Sequence, residues 1–362
     1  MPGPHRHCLW RRLVIAAVIF VSVGATAQAG ESAASVKDAE QYLASGNLKA
    51  AEVELKNAVR HAPQDPVIRA RLAQVYLQLG DAISAEQEAR AAHERGGDEA
   101  DYLPILAGAL LRQYKFADVL DSIHPGYRDD ALESKVRAAL GAAAAGLRDQ
   151  DKAEAMLRDA IRLDPGAVSP KTRLAQLLNA KNPEEADKLI DEAVAADPHS
   201  AEPLQVKGEM LRTRGDLDGA MRLFDQALQI DPKNLLVLLG RADVNITRGE
   251  FKAVDEILDP ILQAAPDNFM ANYLRASELI KRQQYAAADE TLGRISTKFP
   301  LFPAGYYLQG TAKLALGQFA YAEEALHRYL NDASEDRRAV WLIVQRQSTG
   351  LHASRIPPCS QA

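Results

Sequence analysis

Apolar and polar positions along the chain form blocks that each predict two helices joined by a tight turn. In residues 201–213 the apolar side chains recur at helical spacing, and Gly215-Asp216 interrupts the pattern. Glycine tolerates such a turn, and the aspartate can cap the helix that follows. A second helix is predicted from about Leu217 to Ile230, and Pro232 ends it because proline lacks an amide hydrogen. The block is therefore predicted to be an antiparallel helical hairpin.

The proline that closes this block recurs at a nearly constant interval. It is found at positions 165, 198, 232, 266 and 300, with gaps of 33, 34, 34 and 34 residues. Pro63 lies 102 residues before Pro165, which is three intervals of 34. A heptad cannot keep phase with this period, and a stopper near every 34th residue prevents one continuous helix, which argues against a long coiled coil. The pattern predicts a linear array of hairpins.

Two columns of mostly small residues support the same register. The column in the first helices contains Ala39, Ala73, Ala107, Gly141, Ala175, Gly208, Ala242, Ala276 and Gly310. The column in the second helices contains Ala51, Ala85, Val119, Ala153, Ala186, Ala220, Val254, Ala288 and Ala322. Small residues at a crossing let two helices approach closely, and larger residues such as Phe224 fill the space between them. Because one hairpin cannot bury its apolar face alone, each hairpin is expected to stack on the next.

The 34-residue unit resembles the tetratricopeptide repeat (TPR), with small residues at its eighth, twentieth and twenty-seventh places and proline at its thirty-second. The resemblance implies an all-α, right-handed superhelical solenoid of about nine helical hairpins. The predicted solenoid covers 32–336, with repeats at about 32–65, 66–99, 100–133, 134–167, 168–200, 201–234, 235–268, 269–302 and 303–336. The third repeat departs most from the pattern, because Pro125 and Gly126 fall inside its second helix. A shortened or kinked helix is predicted there.

Residues 1–29 are predicted to be a secretory signal peptide. Three arginines precede an apolar run at 13–23, and Ala27 and Ala29 follow it as cleavage sites. A membrane anchor is the less favoured alternative, since eleven apolar residues are too few to span a bilayer. No cysteine follows the run directly, so no lipid anchor is predicted. The expected location is the periplasm of a Gram-negative bacterium, or the medium outside it.

Charge and cysteine content limit the classes of partner and the covalent links. The formal net charge is −6, and loss of the three arginines would make it −9, which disfavours nucleic acid as a partner. Cys8 would be lost on cleavage and Cys359 stands alone, so no intrachain disulfide is predicted in the mature chain.

Residues 337–362 are predicted to be a partial tenth first helix followed by a disordered tail. The end is either natural or the result of truncation of a longer array. Truncation is slightly favoured because AVWLIV is apolar, whereas a solenoid normally ends in a polar capping helix.

No catalytic motif is found in the sequence. The eight histidines are scattered, and neither a nucleophile elbow nor a phosphate-binding loop occurs. The segment from Asp216 to Gly219 begins like a calcium loop but lacks the later ligands, which favours a simple turn. Asn245-Ile246-Thr247 matches a glycosylation triplet but lies within a predicted packed helix. The chain is therefore predicted not to be an enzyme and to hold no metal or cofactor.

A partner is expected in the concave groove lined by the first helices, where the second and fifth places of each repeat point. In the first six repeats these places hold mostly small or polar residues: Ala33, Val36, Val67, Ala70, Asp101, Lys135, Ala138, Ser169, Thr172, Glu202 and Gln205. In the last three repeats they are more apolar and rich in tyrosine. The candidate binding residues are Leu236, Leu239, Met270, Tyr273 and Tyr307. Such a strip suits an extended peptide or an amphipathic helix. The competing interpretation, which is at least as well supported by the sequence, is that these side chains pack against the next hairpin.

A narrower resemblance concerns the repeat starts LLVLLGRADVNITRGEF and FMANYLRASELIKRQQY together with the secreted N-terminus. These features resemble the PEP-CTERM/exosortase-system TPR-repeat proteins (the PrsT-like group), which accompany exopolysaccharide and protein-sorting machinery. The resemblance implies a non-catalytic periplasmic scaffold that binds protein or peptide partners of the cell envelope through the groove. One alternative is an assembly factor for pili or outer-membrane proteins. Another is an accessory repeat region of a longer polysaccharide-export protein or enzyme.

Overall fold

The computed structural model describes residues 30–331, and these residues form helices, turns and short connections. The predicted signal peptide at 1–29 and the predicted tail at 337–362 lie outside the described residues. The chain divides into two compact units between Asp197 and Pro198. We call the described parts of these units the N-terminal unit (30–197) and the C-terminal unit (198–331) and treat each by itself.

The N-terminal unit contains ten helices arranged as five consecutive hairpins. They are α1 (30–44), α2 (Leu48–His61), α3 (Pro66–Gln78), α4 (Ala82–Glu94), α5 (Glu99–Arg112), α6 (Phe116–Ser122), α7 (Asp130–Gly146), α8 (Gln150–Leu163), α9 (Val168–Leu178) and α10 (Pro183–Ala196). Within this unit, each second helix also contacts the first helix of the following hairpin. Stacking on the next hairpin is thus how each hairpin hides its apolar face.

The C-terminal unit contains eight α-helices arranged as four hairpins. They are α11 (Ala201–Thr213), α12 (Leu217–Ile230), α13 (Leu235–Arg248), α14 (Phe251–Ala264), α15 (Phe269–Lys281), α16 (Tyr285–Ile295), α17 (Ala304–Ala315) and α18 (Phe319–Leu330). A short 3-10 helix, Ser296–Lys298, follows α16. None of the helices between residues 30 and 331 has both the length and the apolar character needed to cross a membrane. The prediction of an all-α solenoid of helical hairpins is confirmed, and α11 and α12 begin and end where the sequence pattern placed them.

The two columns of small residues are buried at the helix crossings, as predicted. Where the first column holds glycine, the facing residue of the second helix is large. A Cβ placed on Gly208 would lie 2.6 Å from Cε1 of Phe224, and one on Gly310 would lie 2.6 Å from Cγ of Leu326. Glycine is thus required there by space, since the large side chain fills the volume that a methyl group would occupy.

The turns inside the hairpins share one backbone feature across most of the described chain. In eight of the nine hairpins between residues 30 and 331, the turn holds one residue with positive φ. Five of these residues are glycines, and the other three are Tyr114, Arg148 and Gln283, with φ of 59°, 63° and 62°. The hairpin of α9 and α10 has no such residue, and its repeat is the one that is one residue shorter.

Caps and stoppers fix the ends of the helices. Asp216 accepts a hydrogen bond from the backbone N–H of Gly219, and Asp149 accepts one from that of Lys152. Each aspartate satisfies an amide that has no partner within its own helix. In the hairpin that precedes Pro232, α12 ends at Ile230, so the proline follows two residues after the helix. The predicted roles of Asp216 as a cap and of Pro232 as a helix stopper are confirmed.

The second helix of the third hairpin is short, as the sequence predicted. α6 ends at Ser122, and the segment that follows it contains Pro125 and Gly126. The buried carboxylate of Glu133 holds this segment, because it accepts hydrogen bonds from the Gly126 backbone N–H and from the Arg128 guanidinium at 3.0 Å. An ion pair therefore replaces the missing half of the helix as the anchor of this connection.

Candidate partner-binding surface

The first helices of the third, fourth and fifth hairpins enclose a cavity on one face of the N-terminal unit. Its volume is about 370 Å³, and it lies between α5, α7 and α9. Most of the lining residues are small or apolar: Pro104, Ala107, Gly108, Leu111, Ser134, Ala138, Ala139, Ala167, Val168, Ser169 and Pro170. We call this face the first-helix face. Because its side chains are short, the three helices leave an open volume between them.

Charged side chains stand at the rim of this cavity. Lys135 on α7 and Arg173 on α9 line it and are exposed, and neither forms an ion pair with any residue in 30–331. Asp164 also lines the cavity, and its Oδ1 accepts a hydrogen bond from the Gly166 backbone N–H at 3.0 Å. The rim therefore presents two free cations and one carboxylate that is engaged with its own loop.

A second cavity on the same unit has charged lining residues of both signs. It lies between α1 and α3, with a volume of about 380 Å³. Its lining includes Val36 and Val67 but also Arg71 and Glu40, which form an ion pair of 2.5 Å across the cavity. Arg71 and Glu40 are therefore satisfied within the chain, whereas Lys37 of the same lining has no ion-pair partner among residues 30–331.

The second and fifth places of the repeats differ in exposure. The second-place residues Val67, Lys135 and Ser169 are exposed, as the sequence predicted for groove positions. The fifth-place residues Ala70 and Thr172 are buried, which differs from the expectation that both places point into the groove. At α7, Ala138 is also buried and lines the cavity between α5, α7 and α9.

The predicted strip in the C-terminal unit divides in the same way. Leu236 is 59% exposed, whereas Leu239 is only 5% exposed and belongs to the core between α13, α14 and α15. The expectation that Leu239 faces the groove is therefore corrected, because its side chain packs inside this core. Met270 is partly buried against the same core.

The two tyrosines of the strip take part in aromatic contacts. The Tyr273 ring lies edge-on to Phe302 at 5.0 Å between centroids and stacks on Phe269 at 6.5 Å. The Tyr307 ring contacts Tyr329 at 5.4 Å. Both tyrosines are partly buried, so packing between hairpins accounts for a large part of each side chain. Partner binding by Leu236, Met270, Tyr273 and Tyr307 stays a prediction.

A group of charges lies close to this strip on α11 and α13. Arg212 is 2.6 Å from Asp243 and 2.8 Å from Glu209. Burial raises the pKa of Asp243, and the nearby Glu209 charge adds to the rise, although Arg212 opposes it. Both carboxylates are therefore bound to one guanidinium, which is the arrangement of a structural ion cluster.

The calcium-like segment and the glycosylation triplet noted in the sequence both have structural roles. The Asp216 carboxylate caps α12, and Asp218 pairs with Arg248, so both acidic groups of the calcium-like segment bind protein donors. Asn245 of the glycosylation triplet is buried in α13. Within residues 30–331, no group of three or more His, Cys, Asp or Glu side chains is placed to hold a metal ion.

Comparison with known families identifies the class of fold. Models described as tetratricopeptide repeat match residues 42–108 and 211–277, residues 176–234, and residues 134–166. These matches cover more than half of the chain, and the chain belongs to the tetratricopeptide-repeat proteins. A comparison with curated proteins finds no match.

Solved structures of similar fold include proteins of several kinds. One is a tetratricopeptide repeat protein from Parabacteroides merdae, with 16% identity and a TM-score of 0.51 over 77% of this chain and 97% of that one. PilW, described as a type IV pilus biogenesis factor, has 21% identity and a TM-score of 0.46 over 58% of this chain and 98% of its own. The pilF protein of Pseudomonas aeruginosa has 21% identity and a TM-score of 0.43 over 58% and 96%. At these identities the likeness concerns the fold alone.

Proposed function

We propose that the chain is a non-catalytic scaffold that binds protein partners of the cell envelope on its first-helix face. The observation that carries the proposal is the cavity between α5, α7 and α9, whose rim cations have no partner among residues 30–331. The stacked faces of the hairpins are buried against their neighbours, so the face left open runs across several repeats. A surface of that kind suits an extended polypeptide, which can contact successive hairpins at once.

We further propose that the protein works in the periplasm, in exopolysaccharide export or exosortase-linked protein sorting. Support comes from the signal-peptide pattern of residues 1–29 and from the resemblance of the repeat starts to the PEP-CTERM-system proteins. Mass spectrometry of the exported protein is expected to find a mature N-terminus at Gln28 or Gly30. Recovery of the uncleaved chain from the cytoplasm would contradict this location.

A photo-crosslinking experiment tests the binding face. A photoreactive amino acid replaces Ser169, which is exposed and lines the cavity, and in a matched variant it replaces the exposed Lys152 on α8, away from the cavity. Irradiation of intact cells is expected to join envelope proteins to position 169 and not to position 152. Equal labelling at the two positions, or none at either, would refute the first-helix face as the binding site. The identity of the crosslinked proteins distinguishes polysaccharide export from assembly of pili or outer-membrane proteins.

A further inference from the structure

The cavity of the N-terminal unit has features that select the chemistry of its occupant. Its floor consists of short side chains such as Ala107 and Ala138, and its volume of about 370 Å³ exceeds what a few waters need. Small residues on the floor let a ligand backbone approach the helices closely. An occupant must therefore be narrow, and its inserted side chain must be apolar, since apolar residues line most of the cavity.

The rim of this cavity carries two cations that are unpaired within residues 30–331, on a protein that is acidic overall. The chain as a whole is acidic, with a formal net charge of −6, and many of its arginines and lysines are bound to carboxylates. Lys135 and Arg173 reach the same cavity from neighbouring first helices and have no ion-pair partner among the described residues. An anionic group lying between them would form charge-assisted hydrogen bonds, which are shorter and stronger than neutral ones.

The cavity between α1 and α3 provides an internal comparison. It is of similar size, but its Arg71 is already paired with Glu40 at 2.5 Å. The two cavities are thus similar in volume, but two cations that are unpaired in the described part of the chain line the cavity of α5, α7 and α9, whereas one, Lys37, lines the cavity between α1 and α3. Discrimination by charge is expected to be stronger at the cavity of α5, α7 and α9, because two cations there can pair with a ligand without displacing an internal partner.

We propose that the occupant of this cavity is an extended segment of a partner protein in which an aspartate or glutamate lies beside a small apolar side chain. The apolar side chain enters the space over Ala138, and the carboxylate lies between Lys135 and Arg173. This inference rests on the proposed function and adds the chemistry of the segment that is recognised. A long polyanion such as nucleic acid does not fit, because two cations on an acidic protein give little counterion release.

Selection from a random peptide library tests the proposal directly. A displayed library of random 12-residue peptides is selected on the full-length protein, and enriched peptides are measured by fluorescence anisotropy. The variants are Lys135→Glu with Arg173→Glu, the cavity-filling Ser169→Trp, and the control Lys152→Glu, which changes the charge of an exposed lysine outside the cavity. Circular dichroism confirms that each variant keeps its helices.

The expected result is enrichment of peptides that carry Asp or Glu next to Ala, Val or a similar side chain. Their affinity should fall on the order of tenfold or more in the double charge variant and in Ser169→Trp, and should stay unchanged in Lys152→Glu. Raising the salt concentration should weaken binding to the wild type more than to the double charge variant.

Two other results separate this inference from the proposed function. Peptides without acidic residues that still lose affinity in Ser169→Trp would overturn the acidic specificity and leave the binding face intact. Acidic peptides that bind the double charge variant as well as the wild type would overturn the role of Lys135 and Arg173. Failure to enrich any peptide that responds to Ser169→Trp would count against both proposals.

Discussion

The close approach of Gly208 and Phe224 gives the sharpest test of how these hairpins pack. A Cβ on Gly208 would lie 2.6 Å from Cε1 and 2.8 Å from Cδ1 of Phe224, well inside the usual carbon–carbon separation of about 3.5–4.0 Å. The ring has little room to retreat, because a Cβ on Gly240 of α13 would also lie 2.8 Å from its Cζ. The fully buried ring is therefore held between α11 and α13.

The cost of Gly208→Ala follows from two opposing effects. Overpacking a filled core costs about 1–3 kcal/mol. Alanine is favoured over glycine inside a helix by about 1 kcal/mol, which offsets part of that cost. Gly293 in α16 is the matched control, since a Cβ there would meet nothing within 4 Å. Because both variants make the same chemical change, Gly208→Ala should be less stable than Gly293→Ala by about 1–3 kcal/mol.

Urea unfolding of the full-length chain, followed by far-ultraviolet circular dichroism, measures this difference. A third substitution, Phe224→Leu, shortens the facing side chain and should remove most of the penalty of Gly208→Ala in that background. The packing argument would be refuted by equal stabilities of Gly208→Ala and Gly293→Ala. It would also be refuted by a penalty that remains the same after Phe224→Leu.

Three further predictions concern a buried ion pair, acid stability and the aromatic strip. Glu133→Ala should cost about 3 kcal/mol, because Arg128 loses a buried partner. Burial alone would raise the pKa of Glu86. Hydrogen bonds to its carboxylate, of which the one from Lys115 contributes most, outweigh the effect of burial and lower the pKa below 4.5. The stability this carboxylate gives is thus present above pH 4.5 and is lost as the pH falls through its folded-state pKa, so Glu86→Gln should lose less stability in acid. Tyr273→Ala with Tyr307→Ala should destabilise the fold by about 2 kcal/mol through lost ring packing.

Urea titration also measures these three effects, and each has its own contrary outcome. A Glu133→Ala variant as stable as the wild type would show that the segment after α6 does not depend on this carboxylate. Parallel acid profiles of wild type and Glu86→Gln would contradict the direction of the pKa shift. If the double tyrosine variant keeps its stability but loses partner binding, the strip is a binding surface rather than packing.

Much of the fold was predictable because the rules that fix it are local and repeated. The limits of α11 and α12 follow from the turn at Gly215-Asp216 and from Pro232, and the short α6 follows from Pro125. By contrast, the left-handed turns at Tyr114 and Gln283 were not predictable from residue type, since neither residue favours positive φ. Their conformation is imposed by the hairpin that surrounds them.

The candidate site was harder to predict, because its main feature is an empty volume. Ala107, Ala138 and Ser169 carry no distinctive chemistry. Their short side chains form a cavity only once α5, α7 and α9 have packed together. The sequence signal that pointed there was the set of groove places in the fourth and fifth repeats, which includes Lys135, Ala138 and Ser169. Leu239 shows the converse, because an apolar residue at a groove place is indistinguishable in sequence from one that packs inward.

The turns with positive φ at residues other than glycine have a consequence for how the protein tolerates mutation. A side chain in the left-handed region costs roughly 1–2 kcal/mol, so glycine at Tyr114 or Gln283 would recover part of that strain. Neither residue lines the cavity, so such a change leaves the proposed binding face unaltered. Glycine at these turns would therefore offset part of the stability lost through substitutions among the cavity residues, without altering the cavity itself.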